Sequence, residues 1–66
     1  MQISVNGQSR EVASGTTVSD LLEALGLDPR KLAVERNLDL VPRTAHAGTA
    51  LAPGDRVEVV TLVGGG

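Results

Sequence analysis

The sequence predicts one small α+β domain in which a mixed sheet of about four to five strands curls around a single main helix. Two stretches alternate apolar and polar residues, the pattern of half-buried strands, and they begin at Met1 and near Arg56. Between them, apolar residues recur at helical spacing from Val18 onward. A chain of 66 residues has room for only one such core. A right-handed crossover predicts that the last strand lies parallel to the first.

The first predicted element is a β-hairpin. Residues 1–5 alternate apolar with polar side chains, and Asn6-Gly7 is a strong signal for a two-residue hairpin turn. The return strand runs roughly from Gln8 to Val12 and is polar and short. We therefore expect the first two strands to pair in an antiparallel manner.

An amphipathic helix of about two turns follows the hairpin. Thr17 is the expected N-cap, because a threonine side chain can accept a hydrogen bond from the first turn. Gly26 suits the left-handed residue that ends a helix, Leu27 can fold back onto Leu22, and Pro29 prevents continuation. The predicted apolar stripe consists of Val18, Leu21, Leu22 and Leu25.

Two short strands are predicted after the helix, in the segments KLAVERN and DLVPR, with a tight hairpin at Asn37-Leu38. Leucine is an unusual residue for this turn, because a positive φ at a leucine is strained. The segment TAHAGTALA has no clear period and is expected to form a loop with one helical turn at most. Pro53-Gly54 then fits the centre of a type II turn before the last strand.

The last strand has two different faces. Val57, Val59, Thr61 and Val63 are expected on the core side; Arg56, Glu58, Val60 and Leu62 are expected on the opposite side. With no aromatic residue in the chain, the core must consist of Val, Leu, Ile and Ala. Single large-to-small changes there should cost about 2 to 5 kcal/mol.

Composition excludes several classes of function. The chain has no cysteine, which argues against disulfides and thiolate metal sites and favours a reducing, cytoplasmic setting. No apolar run approaches the roughly 20 residues of a membrane span, and the amino terminus lacks the pattern of a signal peptide. The net charge is −2 and aromatic residues are absent, so neither a membrane nor a nucleic acid is an expected partner.

The side-chain inventory is poor for catalysis. His46 is the single histidine and is predicted to be a surface loop residue, because one ligand makes no metal site and no triad. Asp20 and Glu23 are interpreted as acidic residues on the helix surface that favour the helix dipole and solubility. Arg36 and Arg43 are expected on a solvated face of mixed charge, and no phosphate-binding loop pattern is present. We expect no metal and no bound cofactor.

The carboxyl terminus is the remaining candidate for chemistry. The chain ends in Gly64, Gly65 and Gly66, and three extended residues reach about 10 Å, enough to carry a terminal carboxylate into a channel of another protein. Glycine suits such a channel because it has no Cβ. Ordering the tail costs on the order of 3 to 6 kcal/mol, so a second contact is needed, and Val60 and Leu62 are the predicted docking residues.

Four short segments are specific in their residues and spacing: Glu35-Arg36-Asn37, Val41-Pro42-Arg43, Gly54-Asp55-Arg56 and the terminal Gly65-Gly66. In these segments the chain resembles the ThiS family of sulfur carriers in thiamine biosynthesis, and the resemblance covers nearly the whole chain. The resemblance implies a ubiquitin-like β-grasp domain over residues 1–63 and a flexible, reactive tail over residues 64–66.

The same resemblance implies a mechanism. An E1-like adenylyltransferase would use ATP to adenylate the Gly66 carboxylate, and sulfur from a donor such as a cysteine desulfurase would replace AMP to give a thiocarboxylate. Thiazole synthase would then accept the sulfur. Gly64 and Gly65 would be the unobstructed stem, and Val60 and Leu62 part of the docking surface. The chain would be a protein cosubstrate, not an enzyme.

Two alternatives remain open on the sequence alone. A sulfur carrier of molybdopterin synthesis would share the fold and the tail, although the ERN and VPR segments favour thiamine. A non-catalytic β-grasp interaction module would act through a surface and not through its terminus.

Overall fold

A computed structural model describes residues 1–62 and contains five strands, one α-helix and two short 3₁₀ segments. The strands are β1 (Gln2–Val5), β2 (Gln8–Glu11), β3 (Leu32–Arg36), β4 (Asp39–Val41) and β5 (Arg56–Thr61). The helix is α1 (Val18–Ala24), and the 3₁₀ segments are Pro29–Lys31 and Arg43–Ala45. The predicted order of elements is therefore confirmed, and the irregular segment contains the one turn of helix that was expected.

The strands form one mixed sheet in the order β2-β1-β5-β3-β4. The last strand lies in the centre, parallel to β1 and antiparallel to β3, while the two hairpins form the outer pairs. The expected parallel pairing of the first and last strands is confirmed. As a consequence, both hairpin turns lie close to the strand that leads to the carboxyl terminus.

Helix α1 begins and ends where the sequence predicts. The Thr17 side chain accepts a hydrogen bond from Asp20 N–H at 3.1 Å, and the Asp20 carboxylate accepts one from Thr17 N–H at 3.1 Å, which completes a capping box. At the other end Gly26 has a φ of 70°, and Leu27 N–H donates to the Leu22 carbonyl at 3.0 Å. This is the Schellman arrangement that ends a helix at glycine.

A single apolar core lies between α1 and the sheet. Val18, Val34 and Val57 are completely buried, and the helix stripe contributes Leu21 and Leu22. The remaining buried apolar residues are Ile3, Leu32, Val41 and Leu51. Every one of them is aliphatic, as the composition requires.

The prediction that His46 lies on the surface is wrong. Its residue exposure is 5%, and its Nε2 lies 3.2 Å from the Val41 carbonyl oxygen. Loop 42–50 folds over the core because its backbone completes the start of α1: the His46 carbonyl accepts from Ser19 N–H, and the Thr49 carbonyl accepts from Val18 N–H. The loop thus carries the imidazole inward, where Nδ1 has no hydrogen-bond partner among residues 1–62. The residues of this loop show no apolar periodicity from which its burial could be predicted.

The β3–β4 turn places a leucine in a left-handed conformation. Asn37 and Leu38 have φ angles of 53° and 73°, and Arg36 pairs with Asp39 across them, which defines a two-residue turn of type I′. Leu38 is 67% exposed, so burial of its side chain does not offset the strain. The predicted tight hairpin at Asn37-Leu38 is confirmed, and its leucine has the positive φ that this turn requires.

Replacing Leu38 by glycine should stabilise the domain by up to about 1 kcal/mol, because glycine adopts a positive φ without a steric penalty. Urea denaturation followed by far-UV circular dichroism measures the effect. Leu40→Gly is the matched control: Leu40 is similarly exposed, at 65%, but lies in strand β4. That control should lose stability, and an L38G variant weaker than the wild type would contradict the strain argument.

Candidate functional site

The outward side of β5 carries an exposed apolar surface beside the start of the tail. Val60 and Leu62 are 56% and 54% exposed, and Val60 lies directly opposite Ala33 of β3. Because opposite residues of paired strands share a face, these three side chains lie on the side of the sheet away from α1. We call Ala33, Val60 and Leu62 the outer patch. The predicted facing of β5 is confirmed.

Acidic side chains border the outer patch on one side. Glu35 and Glu58 lie directly opposite each other, in the row of the sheet next to Ala33 and Val60. Arg56 Nε lies 3.9 Å from a Glu58 carboxylate oxygen, a loose and exposed pair. A partner that covers the outer patch would therefore meet two carboxylates at its edge, and basic groups on the partner would complement them.

The start of β5 is anchored by a buried carboxylate. Asp55 is 6% exposed and accepts hydrogen bonds from Ala52 N–H at 2.8 Å, from Asn37 Nδ2 at 3.0 Å and from Arg36 Nη1 at 3.2 Å. Asn37 Oδ1 in turn accepts from Arg56 N–H at 2.9 Å. The segments ERN and GDR, distant in the sequence, thus form one hydrogen-bonded cluster, which we call the Asp55 cluster.

The Asp55 carboxylate is ionised at neutral pH. Burial acts to raise its pKa, but the hydrogen bonds from Ala52 N–H, Asn37 and Arg36, together with the charge of Arg36, outweigh burial and hold the pKa below its ordinary value. A buried carboxylate with this many donors is a structural anchor, and the charge of Arg36 compensates it.

Sequence reasoning missed the Asp55 cluster. Arg36 was expected on a solvated face, whereas its side chain pairs with Asp55 and is 36% exposed. The turn signal of Pro53-Gly54 was recognised and is confirmed by a φ of 81° at Gly54 and by Asp55 N–H donating to Ala52 at 3.1 Å. The signal for Asp55 itself was its place directly after that turn, where an aspartate can accept from a backbone N–H of the turn.

Strand β5 remains paired up to the last described residue. Leu62 N–H donates to the Lys31 carbonyl at 2.9 Å, one residue beyond the end of the strand. Val63, Gly64, Gly65 and Gly66 lie outside the described residues, and so do the predicted boundary at residue 63 and the core-side position of Val63. The fold therefore fixes the strand that carries these four residues.

Within residues 1–62, the structure has a groove but no cluster of side chains that could hold a metal ion. A groove of about 350 Å³ lies between the β1–β2 hairpin, the end of α1 and the last part of β5, and among its lining residues Arg10 is the charged one. The same described residues contain no group of three or more metal-ligating side chains. They also contain no helix with the length and apolar character needed to cross a membrane.

Comparison with known proteins identifies the family. The sequence profile of the ThiS family matches residues 3–66. The chain belongs to the ThiS family. The matched range includes the ERN, VPR and GDR segments.

Relatives of known structure share the fold of this ThiS-family chain. The crystal structure of the thiamine biosynthesis protein ThiS from Geobacter metallireducens superposes with a TM-score of 0.87 at 35% identity and covers all of both chains. The expected β-grasp fold is therefore confirmed. The sulfur carrier protein ThiS of Escherichia coli is also 35% identical over the full length of both chains.

Two further relatives are larger proteins. A thiazole synthase of Paramagnetospirillum magneticum is 46% identical and one of Magnetococcus marinus is 42% identical, each over all 66 residues of this chain. The chain spans about 20% of the length of either relative. A ThiS-like segment thus occurs within proteins that are named thiazole synthases.

Proposed function

We propose that this chain is a sulfur carrier that delivers sulfur, as a thiocarboxylate on Gly66, to the formation of the thiazole of thiamine. The observation that carries the proposal is the ThiS-family match, which extends through Gly66. The relatives named for thiazole synthase and for ThiS support thiamine over molybdopterin synthesis. The proposed acceptor is thiazole synthase.

The chemistry requires activation of the carboxylate. A carboxylate is a poor electrophile, and its attack on the α-phosphate of ATP, with loss of pyrophosphate, makes its oxygen part of a good leaving group. A sulfur nucleophile from a donor such as a cysteine desulfurase then attacks the carbonyl carbon. The C–O bond to AMP breaks. Because a desulfurase delivers its sulfur as a persulfide, the first product is an acyl disulfide, and a thiol then reduces its S–S bond, which leaves the thiocarboxylate and a new disulfide. An E1-like adenylyltransferase would supply the active site and ATP, so this chain binds no cofactor of its own.

In this proposal the chain presents its carboxyl-terminal tail to a partner protein. β5 is paired with β3 up to Thr61, and Leu62 N–H donates to the Lys31 carbonyl just before β3. Because the Asp55 cluster anchors the start of β5, the tail leaves from a fixed strand. The outer patch lies directly before the tail. A partner that buries this patch receives the tail at a defined place, and the free energy of that contact offsets the cost of ordering Gly64, Gly65 and Gly66.

Intact-mass measurement tests the proposed function. The 66-residue protein is incubated with ATP, a ThiS-type adenylyltransferase and a cysteine desulfurase system, and it should gain the mass difference between sulfur and oxygen. Fragmentation should place the sulfur on Gly66. The matched control is the same chain with a carboxamide in place of the Gly66 carboxylate, which should stay unmodified. An unchanged mass of the free acid with active enzymes would refute the proposal and would favour the interaction module.

Single charges in the outer patch should weaken docking. Burial of Val60 or Leu62 contributes about 1.5 to 3 kcal/mol, so Val60→Glu or Leu62→Glu should raise the KM of the adenylyltransferase for this protein by roughly 10- to 100-fold. Thr61→Glu is the control, because Thr61 lies between them, is exposed and points to the opposite face. Equal effects of all three changes would place the docking surface elsewhere.

A further inference from the structure

Asn6 has an evident local role. It occupies the first position of the two-residue turn between β1 and β2, with a φ of 50°, and Gly7 follows with a φ of 83°. Type I′ turns need positive φ at both positions, and asparagine, aspartate and glycine all satisfy this requirement. The turn by itself therefore does not explain why the residue is asparagine and not glycine.

The side chain of Asn6 binds the last strand. Its Oδ1 accepts a hydrogen bond from Val59 N–H at 2.8 Å, and its Nδ2 donates to the Val59 carbonyl at 3.3 Å. The parallel pairing of β1 with β5 ends just before this point, with Val5 opposite Val57 and Asn6 N–H donating to the Val57 carbonyl at 2.9 Å. The carboxamide thus supplies the hydrogen bonds that Val59 would otherwise form with the backbone of β1, which has already turned away.

Asn37 makes a related contact from the other hairpin turn. Its Oδ1 accepts from Arg56 N–H, and its own N–H donates to the Arg56 carbonyl at 2.8 Å. Both asparagines have positive φ, and both bind the backbone of β5, one at its start and one near its end. Asn37 also donates to Asp55. Among the described residues, the Asn6 side chain bonds to Val59 and to no buried carboxylate, so its contact with β5 can be removed separately.

We infer that Asn6 is a positioning residue for the proposed sulfur-carrier reaction: its carboxamide holds the end of β5 and so presents the outer patch and the tail in one arrangement. Val59 is the residue before Val60 and three before Leu62. If the hydrogen bonds between Asn6 and Val59 break, the segment that carries both docking side chains is held from the side of β3 alone. This inference rests on the proposed function.

Asn6→Gly separates the two roles of the residue. Glycine keeps the positive φ of the turn and removes the carboxamide, whereas Asn6→Asp keeps the turn and an acceptor for Val59 N–H. Amide hydrogen exchange should be about three- to ten-fold faster at Val59 in N6G, with an intermediate rate in N6D. Leu21 N–H, which donates to the Thr17 carbonyl in the first turn of α1, serves as the reference for global opening. If N6G exchanges at Val59 as slowly as the wild type, the turn alone explains Asn6 and the inference fails.

Adenylation kinetics test the functional part. With the E1-like adenylyltransferase, N6G should raise KM about three- to ten-fold with kcat nearly unchanged, and N6D should recover part of the loss. Faster exchange at Val59 without a change in KM would overturn the positioning role and leave the sulfur carrier intact. Failure of the wild type to be modified would overturn the proposed function, and the positioning role with it.

Discussion

Leu21→Ala should destabilise the protein by about 2 to 5 kcal/mol, through lost burial and the cavity left in the core. Leu21 is 1% exposed and lies between α1 and the sheet. A domain of this length removes only about 60% of its unfolded surface from water, so such a loss is a large part of its total stability. At 37 °C a substantial fraction of the variant should be unfolded.

Urea denaturation followed by far-UV circular dichroism measures this loss, since the chain has no aromatic residue for fluorescence. Leu40→Ala is the control, because the Leu40 side chain is 65% exposed and its truncation should change stability by no more than about 0.5 kcal/mol. Similar midpoints for L21A and L40A would contradict the packing described for α1.

Asp55→Ala should cost roughly 2 to 4 kcal/mol, because it leaves Ala52 N–H and the Asn37 amide without their acceptor and Arg36 without its partner. The loss stays at the lower end of the range for a buried ion pair, since the Arg36 side chain is partly solvated. Asp39→Ala is the matched control at an exposed position and should be nearly neutral. Equal stability of D55A and D39A would show that the Asp55 cluster contributes nothing.

The same carboxylate predicts a pH dependence. Its folded-state pKa lies below the unfolded value of about 3.9, so its stabilising contribution is complete above that value and is lost as the pH falls through the lower, folded-state pKa. The wild type should therefore lose stability on acidification below about pH 4 more steeply than D55A. Parallel stability curves for the two proteins would contradict the lowered pKa.

Local sequence signals predicted the elements because each depends on neighbouring residues. The Asn6-Gly7 turn and the two ends of α1, at Thr17 and Gly26, depend on residues within a few positions. The alternation over residues 1–5 depends only on the period of two along a strand. The facing of Val60 and Leu62 followed from the period of two along β5. These features needed no knowledge of distant contacts.

The errors concern residues whose partners are distant. His46 is buried because loop 42–50 binds the start of α1, and the Asp55 cluster joins residues 18 or 19 positions apart. Asn6 and Val59 lie 53 positions apart. No periodicity relates such residues, since only the packed sheet brings them together.

By itself the sequence determined the fold class, the order of the elements and the absence of aromatic and cysteine chemistry, and it directed attention to Gly66. Only the tertiary structure decided that two hairpin turns and a buried carboxylate hold the strand before the tail. The physical reason is that a central strand obtains its hydrogen bonds from both sides, and the residues that supply them are fixed by the topology of the sheet.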